Sequence, residues 1–299
     1  MHITDSDSDL LRIAAEQGRI SALAADCQRD LIKCEQEYPG LFPRAFDARL
    51  YSSVTLANAF GAPWATADEL RMANRATLWI FAIDWVIDYV ASSREEIDAT
   101  AERCMDIVGG APPADDDMLG RFLADIRDEL AEVPAFPRLR ERWGGQVELY
   151  LRGVTREWEW KTAHSRSGAP LPSFEEYLAN ADNFGSTFVN LSHWIATGDR
   201  WTHDNLDELW VISEEIQRIL RLLNDLATYQ RDVEWGDLNA LMLGVDRDHV
   251  TRRIADLVEN CRRLIAPVRE RNPLQAEYLE RQIGWSTGFY GMTDFWGPL

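Results

Sequence analysis

The chain is short of positive charge. Its 299 residues carry 31 basic against 50 acidic side chains, a net charge of −19. Such a balance argues against nucleic acid or an anionic membrane as partner. Long apolar runs are also missing: none reaches the ~20 residues of a spanning helix, so no stable membrane insertion is expected. The opening Met-His-Ile-Thr-Asp-Ser-Asp-Ser-Asp has no basic stretch followed by an apolar core. No signal peptide is therefore expected, and residues 1–9 read as a flexible start. Linkers rich in Pro, Gly or Ser and internal repeats are absent, which favours a single domain over 1–299. Cys27, Cys34, Cys104 and Cys261 lack metal-site spacing and suit a reducing, cytoplasmic setting. Cys27 and Cys34, seven apart, read as core residues on one helix face. Nor is there a Ser-His-Asp or Cys-His arrangement, a glycine-rich phosphate loop or a nucleotide fingerprint. His164 and His193 lack partners and read as structural or exposed.

What remains is helical period almost throughout, with no sustained strand-like alternation. Hydrophobic residues make up 46% of the chain, enough for a sizeable core. Helices are expected over 10–37, from Pro43 toward Phe60, and from a capping box at Thr66-Ala-Asp-Glu69. Others follow near 93–108, 117–132 and 137–164. A second capping box, Ser173-Phe-Glu-Glu176, opens a helix to about Thr197. The rest run from about Asp204 to Asp232, 247–270 and 274–295, with a loop from Gly236 to Gly244. The fold class is all-α, ten to twelve helices in one bundle. Asp115, Asp116 and Asp117 follow Pro112-Pro113 and read as a helix start, where acidic residues favour the macrodipole.

Two segments carry chemistry. In Asn224-Asp225-Leu-Ala-Thr228-Tyr-Gln-Arg231-Asp232, Asn224, Thr228 and Asp232 stand at i, i+4 and i+8, one face of a helix. Such oxygen ligands suit Mg²⁺, which commonly bridges a carboxylate to a substrate phosphate. Arg221 and Arg231 add sites for an anion. In Trp79-Ile-Phe-Ala-Ile-Asp84-Trp-Val-Ile-Asp88-Tyr, an apolar run is interrupted only by Asp84 and Asp88, again i and i+4. A carboxylate there costs several kcal/mol by order of magnitude unless an ion compensates it. No Lys or Arg lies within the run, so a bound divalent cation is the expected compensation.

Together the segments resemble class I terpene synthases, which pair an aspartate-rich motif with an Asn/Asp-x-x-Ser/Thr-x-x-x-Glu triad. Asp84 and Asp88 match the first and last aspartates of the former; Asn224, Thr228 and Asp232 match the latter. The resemblance implies an all-α class I terpenoid synthase bundle and three Mg²⁺ ions gripping an isoprenoid diphosphate, with Arg221 and Arg231 as diphosphate ligands. Trp85 stands where the second aspartate is usual. Asp232 stands where glutamate is usual, and Glu234 is a less well-placed substitute.

Glu176-Tyr-Leu-Ala-Asn180-Ala-Asp-Asn-Phe184-Gly185-Ser186 looks like the broken helix of kaurene-synthase-like diterpene synthases. Ala181 and Asp182 stand near the place where many bacterial sesquiterpene cyclases carry a diphosphate-sensing arginine. Thr293-Asp294-Phe295-Trp296 stands where that group ends with an Arg-Tyr pair. Both departures lean toward diterpene chemistry, from geranylgeranyl or a copalyl-type diphosphate, with a sesquiterpene or sesterterpene cyclase as alternative. No Asp-x-Asp-Asp motif is present, so a bicyclic substrate would come from a separate class II cyclase. From another class, a non-catalytic helical interaction protein could retain this fold, and a homodimer is compatible with it. Aromatic faces stabilise carbocations, and Phe81, Trp158, Phe184, Trp194, Trp285 and Phe289 are the expected cavity wall, with Gly185 and Ser186 at the helix break.

Overall fold

The computed structural model describes residues 5–297. Residues 1–4 of the expected flexible start lie outside the described residues, and helix begins at Asp5. Twelve α-helices follow, with no strand among the described residues. They are α1 (Asp5–Gln36), α2 (Ala48–Gly61), α3 (Ala67–Trp85), α4 (Arg94–Val108), α5 (Met118–Ala131) and α6 (Phe136–Ser167). The second half adds α7 (Phe174–Ala179), α8 (Ser186–Thr197), α9 (Arg200–Asp204), α10 (Leu206–Trp235), α11 (Arg247–Arg271) and α12 (Pro273–Tyr290).

Local chemistry sets the ends. Both expected capping boxes form: Thr66 with Glu69 opens α3, and Ser173 with Glu176 opens α7. Asp117 accepts from the Gly120 N–H and caps α5, as read from the sequence. Pro273 starts α12, where a missing N–H leaves no intrahelical bond unmade. The helix expected over 274–295 ends early, at Tyr290, and the chain turns back over the bundle. The helix expected from Ser173 to Thr197 is broken between Ala179 and Ser186 by a tight 3₁₀ turn, Ala181–Phe184, and by Gly185 at φ +78°. A Cβ on Gly185 would lie 2.7 Å from Cγ2 of Ile80, so both the left-handed backbone and the approach to α3 require glycine.

One apolar cluster runs through the bundle. α3 is its axis: Leu70, Ala76, Leu78, Trp79 and Ile83 are fully buried, and each large side chain contributes roughly 1.5–3 kcal/mol. Cys27 and Cys34 are buried on one face of α1, and all four cysteines are free thiols. α2, α3, α6, α8, α10 and α12 surround a cavity of about 250 Å³. Among the described residues no helix is long and apolar enough to cross a membrane.

Candidate active site

The first carboxylate row sits where α3 changes character. After Trp85 the helix widens into a π turn, Val86–Val90, closed by the Ala91 N–H on the Val86 carbonyl at 2.8 Å. Such turns often occur at functional sites. Asp84 lies before the change and Asp88 within it, and both open onto the cavity. Burial pushes the Asp84 carboxyl well above the usual range, with Asp88 and Asp237 adding repulsion. Burial likewise raises Asp88, to about 6, against the pull of Lys161. Trp85 points elsewhere, into an aromatic cluster with Tyr89, Trp296 and Phe46.

The missing cation of the sequence comes from α6. Lys161 Nζ lies 2.5 Å from Asp88 Oδ1 and 3.2 Å from Asp237 Oδ1. The run itself holds no Lys or Arg, as read, but a protein cation compensates Asp88 from 73 residues away, out of reach of a local reading. Tyr89 donates to the other oxygen of Asp237 at 2.8 Å, so the first row is tied directly to the loop after the second.

The second row lies on the last turns of α10. Asn224 and Asp232 line the cavity; Thr228 is buried just behind them. Its hydroxyl donates to Asp232 Oδ2 at 2.6 Å, and Asn239 Nδ2 donates to the same oxygen at 2.8 Å. Burial raises the Asp232 carboxyl, and those two hydrogen bonds and Arg231 partly oppose it. Glu234 is exposed on the far face, which leaves Asp232 as the row's third ligand candidate. Asp225 was missed as a site residue. It is buried, accepts from Tyr177 at 2.9 and 3.0 Å, and is raised by burial to about 7.

Arg221 is held by Glu157 at 2.5 Å, bonds Asn183, and lies 3.9 Å over the Tyr177 ring. Arg231 pairs with Asp294 at 2.5 Å, and its guanidinium lies 5.0 Å over Trp235. In both arginines Nε is buried and has no hydrogen-bond partner. An orphaned buried N–H is costly unless something accepts it. Both arginines line one cavity with the two carboxylate rows, so the side chains present fit oxygen-coordinated cations together with an anion. Among the described residues, no three His, Cys, Asp or Glu side chains already form a cation cage by themselves. The Asn and Thr oxygens, with the anion, would complete the ligand set.

Of the expected wall residues, Phe81, Phe184, Gly185, Ser186 and Trp285 line the cavity. Trp158, Trp194 and Phe289 do not. Trp194 is fully buried against Tyr278, Trp158 packs on the core along α6, and Phe289 stacks on the outer side of Trp285 at 4.5 Å. Helical period marks such residues as inward-facing but not whether they reach the lumen. Thr187 is fully buried too, with its N–H on Gln217 Oε1 at 2.9 Å, so Ser186 alone carries a hydroxyl from the break into the cavity. Ala181 and Asp182 stay off the wall; Asp182 accepts from Gln146 and Gln217. The end of α12 and the chain after it supply what was missed: Phe295 (tilted) and Trp296 (edge-to-face) each pack on Phe81 at 5.3 Å and close the wall, and Tyr290 lines it. His193, stacked on Tyr278 and pushed down to about 4 by burial, is structural.

The profile of terpene synthase family 2, C-terminal metal binding, matches residues 75–263, which contain both rows. The chain belongs to that family. It is a class I terpene synthase with a metal-binding site. Among curated relatives it is 29% identical over 263 residues to the ent-pimara-9(11),15-diene synthase of Streptomyces sp. strain KO-3988, covering 86% of this chain and 88% of that one. It is 26% identical to the (+)-T-muurolol synthase of Roseiflexus castenholzii, a (2E,6E)-farnesyl diphosphate cyclizing enzyme, over 67% of this chain and 61% of the other. The linalool/nerolidol synthase of Streptomyces clavuligerus, solved with 2-fluorogeranyl diphosphate, shares the fold at TM-score 0.68 and 18% identity, over 90% and 97% of the two chains. The 2-methylisoborneol synthase of Streptomyces coelicolor A3(2), solved with Mg²⁺ and 2-fluoroneryl diphosphate, does so at 0.66 and 14%, over 90% of each.

Proposed function

We propose that this terpene synthase is a Mg²⁺-dependent diterpene cyclase acting on geranylgeranyl or a copalyl-type diphosphate. The observation that carries the diphosphate reading is that Arg221 and Arg231 line one cavity with both carboxylate rows. Asp84, Asp88, Asn224, Thr228 and Asp232 would hold the metal, three ions by the family resemblance. Bound Mg²⁺ would act as a Lewis acid that makes the diphosphate a better leaving group. Arg221 and Arg231 would give charge-assisted hydrogen bonds to the same group. Phe81, Phe184, Trp285, Phe295 and Trp296 offer π faces to the cation and exclude bulk water while it rearranges. The C20 class is supported by the relative named for ent-pimara-9(11),15-diene and by another, from Streptomyces cyslabdanicus, named for (12E)-labda-8(17),12,14-triene. A farnesyl-cyclising reading is favoured by the T-muurolol relative.

The test is incubation with C10 to C25 linear diphosphates and with copalyl diphosphates, read by mass spectrometry with and without a chelator. Mg²⁺-dependent cyclic C20 products are expected. Turnover confined to farnesyl diphosphate would overturn the diterpene reading, and undiminished turnover in chelator would overturn the metal reading.

A further inference from the structure

The cavity has two chemically different ends. The carboxylate end has the charges described above. The opposite end would be expected to be plain hydrocarbon, because only the hydrocarbon part of an isoprenoid diphosphate reaches it. It is not. Along α12, Tyr278, Gln282, Ser286 and Tyr290 recur at every fourth residue and all face the cavity. Tyr290 touches Asn224, which fixes that end of the row at the second metal row. Gln282 therefore stands two turns away, about 12 Å along the helix axis, and Tyr278 about 18 Å. Asn58 of α2 lines the same far region, where α2 passes so close that a Cβ on Gly61 would sit 3.5 Å from the Tyr278 ring.

These polar groups are fixed, and part of their hydrogen-bonding capacity is unused. Asn190 is buried on α8. Its Nδ2 donates to Ser213 Oγ at 2.8 Å and Gln282 Oε1 at 3.0 Å; its Oδ1 accepts from Tyr278 at 2.8 Å and Gln282 Nε2 at 3.0 Å. Asn190 is thereby saturated, and it clamps the Gln282 amide in one orientation. Gln282 keeps one N–H and one lone pair. The Ser286 hydroxyl, itself buried, makes no hydrogen bond among the described residues, and neither does the Asn58 amide oxygen, whose Nδ2 is spent on Asn74 at 2.9 Å. Polar atoms facing pure hydrocarbon are unfavourable unless they find a partner. A polar cavity of this kind is where an ordered water is held.

We propose that Gln282, with Ser286 and Asn58, holds a water at the far end of the cavity that quenches the cyclised cation, so that the product is a cyclic terpene alcohol. The inference rests on the cyclase reading above and adds the product class. In balance, ionisation breaks the C–O bond with both electrons leaving on the diphosphate. After cyclisation a lone pair of the held water forms a new C–O bond, and the resulting oxonium passes its surplus proton to further water, which carries it to the released diphosphate. Gln282 and Ser286 orient the water and do not themselves react. The Ser186 hydroxyl, by contrast, is already directed at Gln217 Oε1 at 3.3 Å.

The experiment runs geranylgeranyl, copalyl and farnesyl diphosphates with Mg²⁺ in ¹⁸O-water, with products and released diphosphate measured in parallel. The wild type should give a cyclic alcohol that carries ¹⁸O. Gln282→Leu should lower the alcohol-to-hydrocarbon ratio at least about tenfold, and Ser286→Ala about threefold, with diphosphate release falling far less than the alcohol fraction. Ser286→Ala and Asn58→Leu serve if Gln282→Leu does not fold, because neither Ser286 nor Asn58 bonds Asn190 as Gln282 does. Hydrocarbon as the only wild-type product, or an alcohol fraction indifferent to these substitutions, would overturn the proposal while leaving the cyclase reading intact. Absence of turnover on every diphosphate would instead strike that reading. A crystal structure with Mg²⁺ and inorganic diphosphate then decides the present point. Ordered water bonded to Gln282 and Ser286 supports it, and a dry far end overturns it.

Discussion

Asp88→Asn should make the metal-free protein more stable at neutral pH, although it removes a metal ligand. The Asp88 carboxyl is raised from 3.8 to about 6, chiefly by burial. A folded-state value above the unfolded one means that the native protein binds the extra proton between those two values. Stability therefore falls as pH rises through roughly 4 to 6, and the loss is complete above the folded value. A shift of about two units corresponds to about 3 kcal/mol at neutral pH. Only 18% of this side chain is exposed, so solvent screens little of it. Asparagine imitates the neutral carboxyl, and Lys161 keeps Asp237 as its partner. For a chain of this length about 3 kcal/mol is worth roughly 3–5 °C in Tm.

The assay is thermal melting of wild type and variant from about pH 4 to pH 8, in chelator and in excess MgCl₂. In chelator the variant should melt higher near pH 7, and the difference should close near pH 4. Mg²⁺ should raise the wild-type Tm at neutral pH and the variant's much less, because a ligand stabilises only the form that binds it. A variant that melts below wild type at neutral pH in chelator, or a difference that does not change with pH, would refute the argument. The Asp88–Lys161 pair would then be a net stabilising bridge and not a residue of unrelieved charge.

Asp84→Ala and Asn224→Ala should each lower turnover by at least about a thousandfold, roughly 4 kcal/mol of barrier, with helicity by circular dichroism nearly unchanged; full activity in either would remove it from the metal site. Trp85→Phe should retain most activity and Trp85→Asp should not greatly tighten Mg²⁺ binding, measured by titration calorimetry, because Trp85 faces the Phe46–Trp296 cluster. Gly185→Ala should lower Tm by an amount equivalent to roughly 1–3 kcal/mol, from the positive φ and the contact with Ile80; an unchanged melt would show that the break relaxes freely.

The sequence made the helices and both ligand rows legible because each depends on local spacing. Asp84/Asp88 and Asn224/Thr228/Asp232 are short-range patterns, and a helix must place them on one face. The capping boxes at Thr66 and Ser173 and the break at Gly185 are local as well. What was not legible is long-range or depends on degree. Lys161 reaches Asp88 from α6 and Asp237 reaches Lys161 from the loop after α10, and Glu157 reaches Arg221 from α6. No spacing rule connects them. Aromatic residues were legible as buried but not as lumen-facing: Trp194 and Trp285 look equally inward by period, yet only Trp285 reaches the cavity. The polar face of α12 had a signal, Tyr278, Gln282, Ser286 and Tyr290 at intervals of four, but a row of hydroxyls and amides reads equally as a solvated face.

The charges lining the cavity constrain how much metal the enzyme needs. Asp84, Asp88, Glu157, Asp225, Asp232 and Asp237 open onto it and Asp294 is bound to Arg231, against Arg221, Arg231 and the Lys161 ammonium bound to Asp88. Seven carboxylates facing three cations leave four negative charges where a diphosphate ester must bring about three more. Like charges at such distances cannot be gathered in a cavity of low polarity without compensation. Three divalent cations bring the sum near zero. If Asp225, whose carboxyl lies near 7, keeps its proton, three balance the sum. The order of assembly follows from the same tally. The acidic rows repel a bare diphosphate, so cations must precede it or arrive with it, and binding of inorganic diphosphate measured by calorimetry should be undetectable in chelator and appear only with Mg²⁺. Tight binding of diphosphate in chelator would mean that Arg221 and Arg231 outweigh the carboxylates, and the charge argument for the ions would fail.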